Sequence, residues 1–440
     1  MRIKSLTLKN MRMFGDESQT VVFDPNKNVT ILLGNNGCGK STILDAASIL
    51  LSTFVGTFPG NTSQNFKDKD VHVQRNNKVA SYLHVSMELM QNNDNVYTVS
   101  RSRKGWDKGP LPEVKEIKSY AESLKEQILK NEEKVNIPIL AYYGTGRGQI
   151  KAPERKRGFQ KVFAQWDCYN NSLDASTDFK RFFAWYDMME DEERREREHR
   201  RDFSYHSTVL TSVRRAIEAF VGPHYTNPHI AIHPLRFVLE EEGKYIKREL
   251  RLEQFSDGYK IIIAMVADIA SRMAEGNPGM DNPLDGSGII LIDEIDLHLH
   301  PKWQRVILDK LNKVFPNVQF IVTTHSPIVL LGAVDFAQII TLEEGIVNVR
   351  HSDYSHYDVG QILLSDLFGL QNLQSPSYDV EIEEQKKLLE RYDNLSEAEK
   401  KRLDELDAKL RVLSSSSTLE DMKLREYIYK VADQLKIETR

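Results

Sequence analysis

Apolar and polar residues alternate over residues 3–8, which predicts a strand, whereas residues 28–33 form an apolar run expected of a buried strand. Residues 42–53 carry helical spacing. Further strands are expected at 82–88 and 96–101, and the intervening 56–77, rich in Gly, Asn, Asp and Lys, reads as loop. Residues 113–132 have the spacing of an exposed amphipathic helix, and 137–143 is a strand that the glycines of 144–148 end. From about 150 to 221 the pattern changes to long charged helices, with a mixed-sign run over 190–202 and an aromatic cluster of Phe179, Phe182, Phe183, Trp185 and Tyr186. Strand patterns return at 230–239, 289–292 and 319–323, interleaved with helices at 258–274 and near 301–315. Beyond about 361 the chain is rich in Glu, Lys and Leu, with two helices expected around a serine loop at 414–417. There is no internal repeat.

Composition narrows the class. At 440 residues, 40% hydrophobic and 28% charged, the chain has the balance of a globular protein, with length for two or three domains. The apolar runs at 261–270 and 328–340 each carry an aspartate and fall short of the roughly 18 residues a bilayer helix needs. Lys9, Arg12 and Asp16 interrupt any signal-peptide core. A net charge of −5 argues against a protein that coats nucleic acid. The two cysteines, Cys38 and Cys168, make no disulfide framework, and a cytoplasmic location is expected.

Candidate chemistry begins at Gly34-Asn35-Asn36-Gly37-Cys38-Gly39-Lys40-Ser41-Thr42, a G-x-x-x-x-G-K-[ST] phosphate loop between a strand and a helix. The glycines let backbone amides turn inward around a phosphate, Lys40 neutralises the β- and γ-phosphates, and Ser41 offers a hydroxyl to Mg²⁺. The strand 289–292 ends in Asp293-Glu294. Asp293 is the expected Mg²⁺ ligand, and Glu294 is placed to polarise the attacking water.

Three more segments refine this reading. Phe255-Ser256-Asp257-Gly258-Tyr259-Lys260 opens an apolar helix, so Ser256 and the Gly258 amide lie at an anion-favouring N-terminus. The strand at 319–323 leads through Thr324 to His325, where an imidazole can sense a γ-phosphate. Asp296, followed by Leu297-His298-Leu299-His300-Pro301, extends the acidic strand into a loop.

In order and identity, these motifs over residues 1–350 resemble the ABC-type head ATPases of the RecF, SMC and OLD kind. The resemblance implies an α/β fold, a mixed sheet flanked by helices, with ATP and Mg²⁺ as cofactors. It also implies that two heads sandwich ATP: Ser256 and Gly258 act in trans as the signature, Asp296 is the D-loop aspartate, and His325 is the switch. Asp257 and Tyr259-Lys260 replace the Gly-Gln of transporter signatures, Ser-Asp-Gly being a form found in RecF-like heads. No Q-loop glutamine is assigned near 82–88, where the segment offers Ser81 and Tyr82. Arg12 resembles the N-terminal basic residue that approaches nucleotide in such heads, against the reading of an exposed turn arginine. His298 and His300 alternate as metal ligands would, but two histidines make a weak zinc site. The D-loop resemblance accounts for them better. Cys38 reads as an ordinary loop residue.

No long heptad run is present, which excludes an SMC-type arm, and no Asp-x-Asp or His-Asn-His cluster follows His325, so no nuclease half is expected. The segments 139–147, 179–186 and 291–301 resemble PtuA-type ATPases of Septu operons and of some retrons. That resemblance implies a bacterial antiphage role, a small HNH nuclease as partner and a homodimer or higher oligomer. The aromatic cluster and the C-terminal helices are candidate docking surfaces, with ordinary core or solvated helix as the alternative. Lys151, Arg155, Lys156 and Arg157 form a basic patch able to touch nucleic acid, or a solvated loop.

The expected organisation is one head split in sequence, 1–148 and 226–355, around a helical insertion, 149–225, and followed by a helical tail, 356–440. The expected function is a slow Mg²⁺-dependent ATPase that regulates a separate nuclease, with no membrane contact. The alternatives are a RecF-like DNA-repair ATPase and a nucleotide-stabilised scaffold that scarcely hydrolyses.

Overall fold

The computed structural model describes residues 1–410, apart from 75–76, 92–94, 106, 108, 131–134, 149–162, 176–178, 233–234, 243–246, 351–353, 371–372, 374–375 and 393–394. The chain divides into two compact units, Met1–Ser352 and Asp353–Arg440.

The first unit opens with β1 (Arg2–Lys9), β2 (Gln19–Val22), β3 (Val29–Gly34) and α1 (Lys40–Val55), then β4 (Tyr82–Gln91), β5 (Asn95–Lys104), α2 (Lys115–Leu129) and β6 (Ile139–Tyr143). α3 (Phe179–Arg200) and α4 (Thr208–Val221) lead to β7 (Tyr225–Ile232), β8 (Leu235–Glu242) and β9 (Lys247–Arg251). α5 (Asp257–Gly276), β10 (Gly288–Ile292), α6 (Pro301–Gln304), α7 (Ile307–Val314), β11 (Val318–Thr323), α8 (Pro327–Leu331), β12 (Ala337–Glu343) and β13 (Ile346–Arg350) complete it.

Three sheets result. The central one has the order β13-β12-β3-β11-β10-β6, parallel except for the β12–β13 hairpin. Its interior strands β3, β10 and β11 are buried throughout except at Gly34, as continuous apolar runs in a parallel sheet require. An antiparallel sheet, β2-β1-β4-β5, forms a second layer. α1 packs against strands of both and is buried at every position but Ser41 and Asp45. Gly288 opens β10 because a Cβ there would meet the Ile139 carbonyl oxygen at 2.6 Å.

The third sheet, β7-β8-β9, corrects the single strand expected at 230–239, which is instead parts of two antiparallel strands. The helix expected over 301–315 is interrupted between α6 and α7. Of the aromatic cluster, Phe182, Phe183, Trp185 and Tyr186 are buried, so they are core and not a docking surface. Phe182 and Tyr186 pack edge-on to Phe237, at 5.6 and 5.5 Å between ring centroids. The side chain of Phe179 and the basic patch of Lys151, Arg155, Lys156 and Arg157 lie outside the described residues.

The second unit contains α9 (Val359–Leu364), α10 (Pro376–Leu389) and α11 (Glu397–Leu410). α10 and α11 pair through buried Leu388, Leu403 and Leu406, and Arg402 grips both carboxylate oxygens of Glu384 at 2.9 and 3.0 Å. The serine loop at 414–417 lies outside the described residues. Among the described residues, no helix is long and apolar enough to cross a membrane.

Candidate active site

The parallel order of the central sheet brings the ends of β3, β11 and β10 to one edge, where open α/β sheets bind ligands. β3 delivers the phosphate loop. Gly34 has φ +147° and could carry no side chain, because a Cβ would lie 2.4 Å from the Leu342 carbonyl oxygen. Gly39, at φ +111°, caps α1 and packs on the Phe14 ring. The first amides of α1 have no partner within the helix, so Gly39 to Thr42 present donors and the positive end of the helix dipole.

Lys40 is buried, and its ammonium donates to the carbonyls of Gly34 and Asn35 at 2.7 and 2.9 Å, with the Cys38 Sγ at 3.8 Å. Burial lowers its pKa, opposed by Cys38 and Asp293. The exposed Ser41 donates its hydroxyl to Asp293 at 2.9 Å. β11 lies between their strands, so this contact closes over the sheet edge.

Thr323, the last residue of β11, donates to Asp293 at 2.6 Å and accepts the Glu294 amide at 2.7 Å. Glu294 adopts φ +47°, a left-handed conformation rare for a residue with a side chain. The acidic strand's end is thus held from the neighbouring strand. Asp296 accepts from Thr324, and Ser326 donates to Gln304, whose amide donates to the Leu299 carbonyl at 2.9 Å. The loops after β10 and β11 are thereby tied together.

His325 is exposed beside these acids. Desolvation first, and then the Lys40 ammonium, lower its pKa, which favours the neutral imidazole at pH 7. Ser256 caps α5 by position, but its hydroxyl accepts no bond from that helix. Gly258 allows close approach: a Cβ there would be 2.7 Å from the His298 carbonyl oxygen. Tyr259 packs edge-on to Trp303 at 5.3 Å. The segment 255–260 and the chain from 298 to 303 therefore make a single surface.

A cleft of about 590 Å³ lies on the other side of the phosphate loop, lined by Met13, Leu342, Glu343, Glu344 and Ile346 together with Asn35 to Cys38. Ser41 and Asp293 meet as a hydroxyl and a carboxylate, the oxygen chemistry that a hard divalent cation requires. Among the described residues no group of three or more His, Cys, Asp or Glu could hold a metal. His300 caps α6 through its ring nitrogen, and the zinc reading of His298 and His300 gains no third ligand.

A family model described as "AAA domain, putative AbiEii toxin, Type IV TA system" matches residues 29–331. The chain belongs to this family. Its ATPase motifs are all inside that span. Among its relatives, a probable ATPase of retron Ec83 from Escherichia coli is 31% identical, with 74% of this chain and 69% of the relative covered. A probable ATPase of retron Vc95 from Vibrio cholerae is 29% identical, covering 75% and 71%. The Septu protein PtuA of Bacillus mycoides is 40% identical over a shorter stretch, 27% of this chain and 17% of that protein. The resemblance to PtuA-type ATPases is borne out by these relatives. A solved SMC head bound to the winged-helix domain of ScpA is 17% identical, covering 80% of this chain and 98% of that one with a TM-score of 0.48.

Several residues of this ATPase's site escape sequence reasoning. Thr323 and Thr324 are two adjacent hydroxyls whose roles follow only from pairing across strands. The strand flanking β10 is β6, not the 82–88 segment, and the loop after it carries Arg147. Arg12 is neither exposed nor free: it donates to Asp45 at 2.6 Å and to Asp70 at 2.7 Å, and Tyr142 donates to Asp45 at 3.0 Å. The cleft beside Met13 and Ile346 joins segments more than 300 positions apart, and no local motif marks it.

Proposed function

We propose that this chain is the ATP-hydrolysing subunit of an antiphage complex, in which two heads close over nucleotide and their engagement controls a partner nuclease. The halves 1–148 and 226–355 form the head, 149–225 the insertion, and 356–440 an interaction region. The observation that carries this reading is the Ser41–Asp293 contact, which joins the phosphate loop to the acidic strand at one point. The retron and Septu ATPases among the relatives supply the defence context.

Lys40 and the amides of the phosphate loop bind the β- and γ-phosphates; Ser41 and Asp293 would hold Mg²⁺, which offsets phosphate charge. Glu294 accepts a proton from water as the water oxygen bonds to the γ-phosphorus and the bond to the β–γ bridging oxygen breaks, so that ADP and phosphate leave; His325 stays neutral and able to donate to the γ-phosphate. With the phosphate end directed toward β10, the base runs toward β12, into the cleft between Met13 and Ile346. Ser256, exposed, and Gly258, half-buried, lie beside the D-loop and complete the site of a second copy. Asp296 stands behind that surface.

The test uses the native operon product. Glu294→Gln is expected to accumulate an ATP-dependent dimer on size-exclusion chromatography, Lys40→Ala to stay unassembled, and the wild-type complex to carry a small nuclease. Full hydrolysis with unchanged assembly in Glu294→Gln sinks the catalytic assignment. Copurification with repair proteins and no nuclease favours the RecF-like reading.

A further inference from the structure

The chain turns sharply where β10 ends. Ile292 is the last residue paired with both neighbours, opposite Tyr143 and Val322, and the Asp293 amide still donates to the Tyr143 carbonyl at 2.8 Å. At Glu294 the backbone becomes left-handed. The carbonyls of Asp293 and Glu294 have by then left the strand ladder; that of Glu294 accepts the Leu297 amide at 2.9 Å, and the buried carbonyl of Asp293 needs a donor.

Arg147 supplies it, and gives Glu294 a second donor. Its guanidinium donates through one nitrogen to the Asp293 carbonyl and through the other to the Glu294 carbonyl, and it reaches back to the Gly144 carbonyl at 2.9 Å. The side chain is almost fully enclosed, at 2% exposure. Its hydrogen bonds go to backbone, not to a carboxylate, although Asp293, Glu294 and Asp296 all lie close enough to favour its charge. A buried cation without a paired anion is costly, so its fork is an expensive way to satisfy the Asp293 carbonyl and to add a second donor to those of Glu294 and Gly144, which already accept the amides of Leu297 and Arg147, unless their position matters.

The approach is built in. Gly144 ends β6 against Ala175, where a Cβ would lie 2.8 Å from the Ala175 carbonyl oxygen, and its amide donates to that carbonyl at 2.8 Å. The turn Thr145–Gly148 then folds Arg147 beneath the end of β10.

We infer that Arg147 is a positioning residue for Glu294, acting through the main chain. Thr323 grips the Glu294 amide and Arg147 grips its carbonyl, so both peptide planes flanking the left-handed residue are held. With the backbone pinned on both sides, the carboxylate departs from one fixed Cα–Cβ direction, and small displacements of a general base cost much rate. Arg147 touches neither nucleotide nor water in this role. The inference rests on Glu294 being the group that polarises water.

The experiment measures phosphate release and binding of a non-hydrolysable ATP analogue by the full chain, for Arg147→Met and Arg147→Lys, each in the wild-type and Glu294→Gln backgrounds. Arg147→Met is expected to lower kcat roughly 10- to 100-fold while analogue affinity stays within about threefold. Arg147→Lys, whose single ammonium cannot reproduce the fork, recovers part of the rate. In the Glu294→Gln background Arg147→Met causes no further loss, since the group it positions is already gone. An unchanged kcat in Arg147→Met, an affinity loss as large as the rate loss, or a full further loss in the Glu294→Gln background overturns the inference. Should Arg147→Met fail to fold, Arg147→Lys decides: reduced kcat at unchanged affinity supports the role, and wild-type kcat removes it. Wild-type hydrolysis by Glu294→Gln alone would instead refute the general-base reading, without reference to Arg147.

Discussion

Ser41 and Asp293 stand 252 positions apart and share a hydrogen bond of 2.9 Å. One is the first exposed residue of α1, the other the first residue beyond β10. Their contact brings an oxygen pair to the mouth of the phosphate loop.

If that pair holds the divalent ion, Ser41→Ala and Asp293→Asn should raise the Mg²⁺ concentration needed for half-maximal hydrolysis by about tenfold or more. Nucleotide binding in EDTA should change little. A Mg²⁺ titration of phosphate release reads this directly, and an unaltered midpoint in Asp293→Asn removes the metal role.

Thr323 links Asp293 and Glu294, the proposed ion-binding and water-polarising residues, so Thr323→Val, which keeps shape and removes the hydroxyl, should act on both. The buried Asp293 carboxylate loses a donor and the Glu294 amide loses its acceptor. A stability loss of about 1–3 kcal/mol is expected in urea titrations, together with a kcat at least roughly tenfold lower. A variant with normal kcat would show that the threonine serves stability alone.

Gly258→Ala places a methyl group where the His298 carbonyl now sits. The signature helix and D-loop must separate, so ATP-dependent dimerisation of the Glu294→Gln protein should weaken at least roughly tenfold. Nucleotide affinity of the monomer should remain. Sedimentation with and without ATP measures both, and undiminished dimerisation would place the interface elsewhere.

A buried charged network supports α5. Asp268 accepts from Tyr143 at 2.7 Å and from Arg272 at 2.8 Å, while Glu275 pairs with Arg181. Burial raises the Glu275 pKa to about 7, with Arg181 opposing it. The raised acid contributes stability that is complete below the unfolded pKa of about 4.5 and is lost as pH rises through about 7. Thermal midpoints should therefore fall between about pH 5 and pH 8, and Glu275→Gln should flatten that dependence. An equal slope in the variant would assign the pH effect to other groups.

The candidate phosphate loop, the acidic strand end, His325 and the segment 255–260 could each be picked out because each is a contiguous run whose chemistry depends on local backbone form. Strand β3 followed by glycines and α1 is one such unit. Strands β10 and β11 were legible for the same reason: β10 is apolar from Ile289 to Ile292 and β11 from Phe320 to Val322. The division into β7 and β8 was not, because apolar residues stand on both sides of it, as they would along one strand. The buried aromatics of α3 could have faced a partner or a core, and a linear pattern does not say which side the neighbouring β8 covers. Arg12 read as an exposed or nucleotide-facing group, yet Asp45 and Asp70 from two other segments enclose it.

By itself, then, the sequence determined which groups are the candidates to bind phosphate, metal and water, since those demands are met by residues adjacent along a strand end or loop. Only the tertiary structure decided which residues hold those groups in place. Thr323, Arg147 and the cleft beside Ile346 act across strands, and strand order in a parallel sheet is set by crossover packing rather than by neighbouring residues.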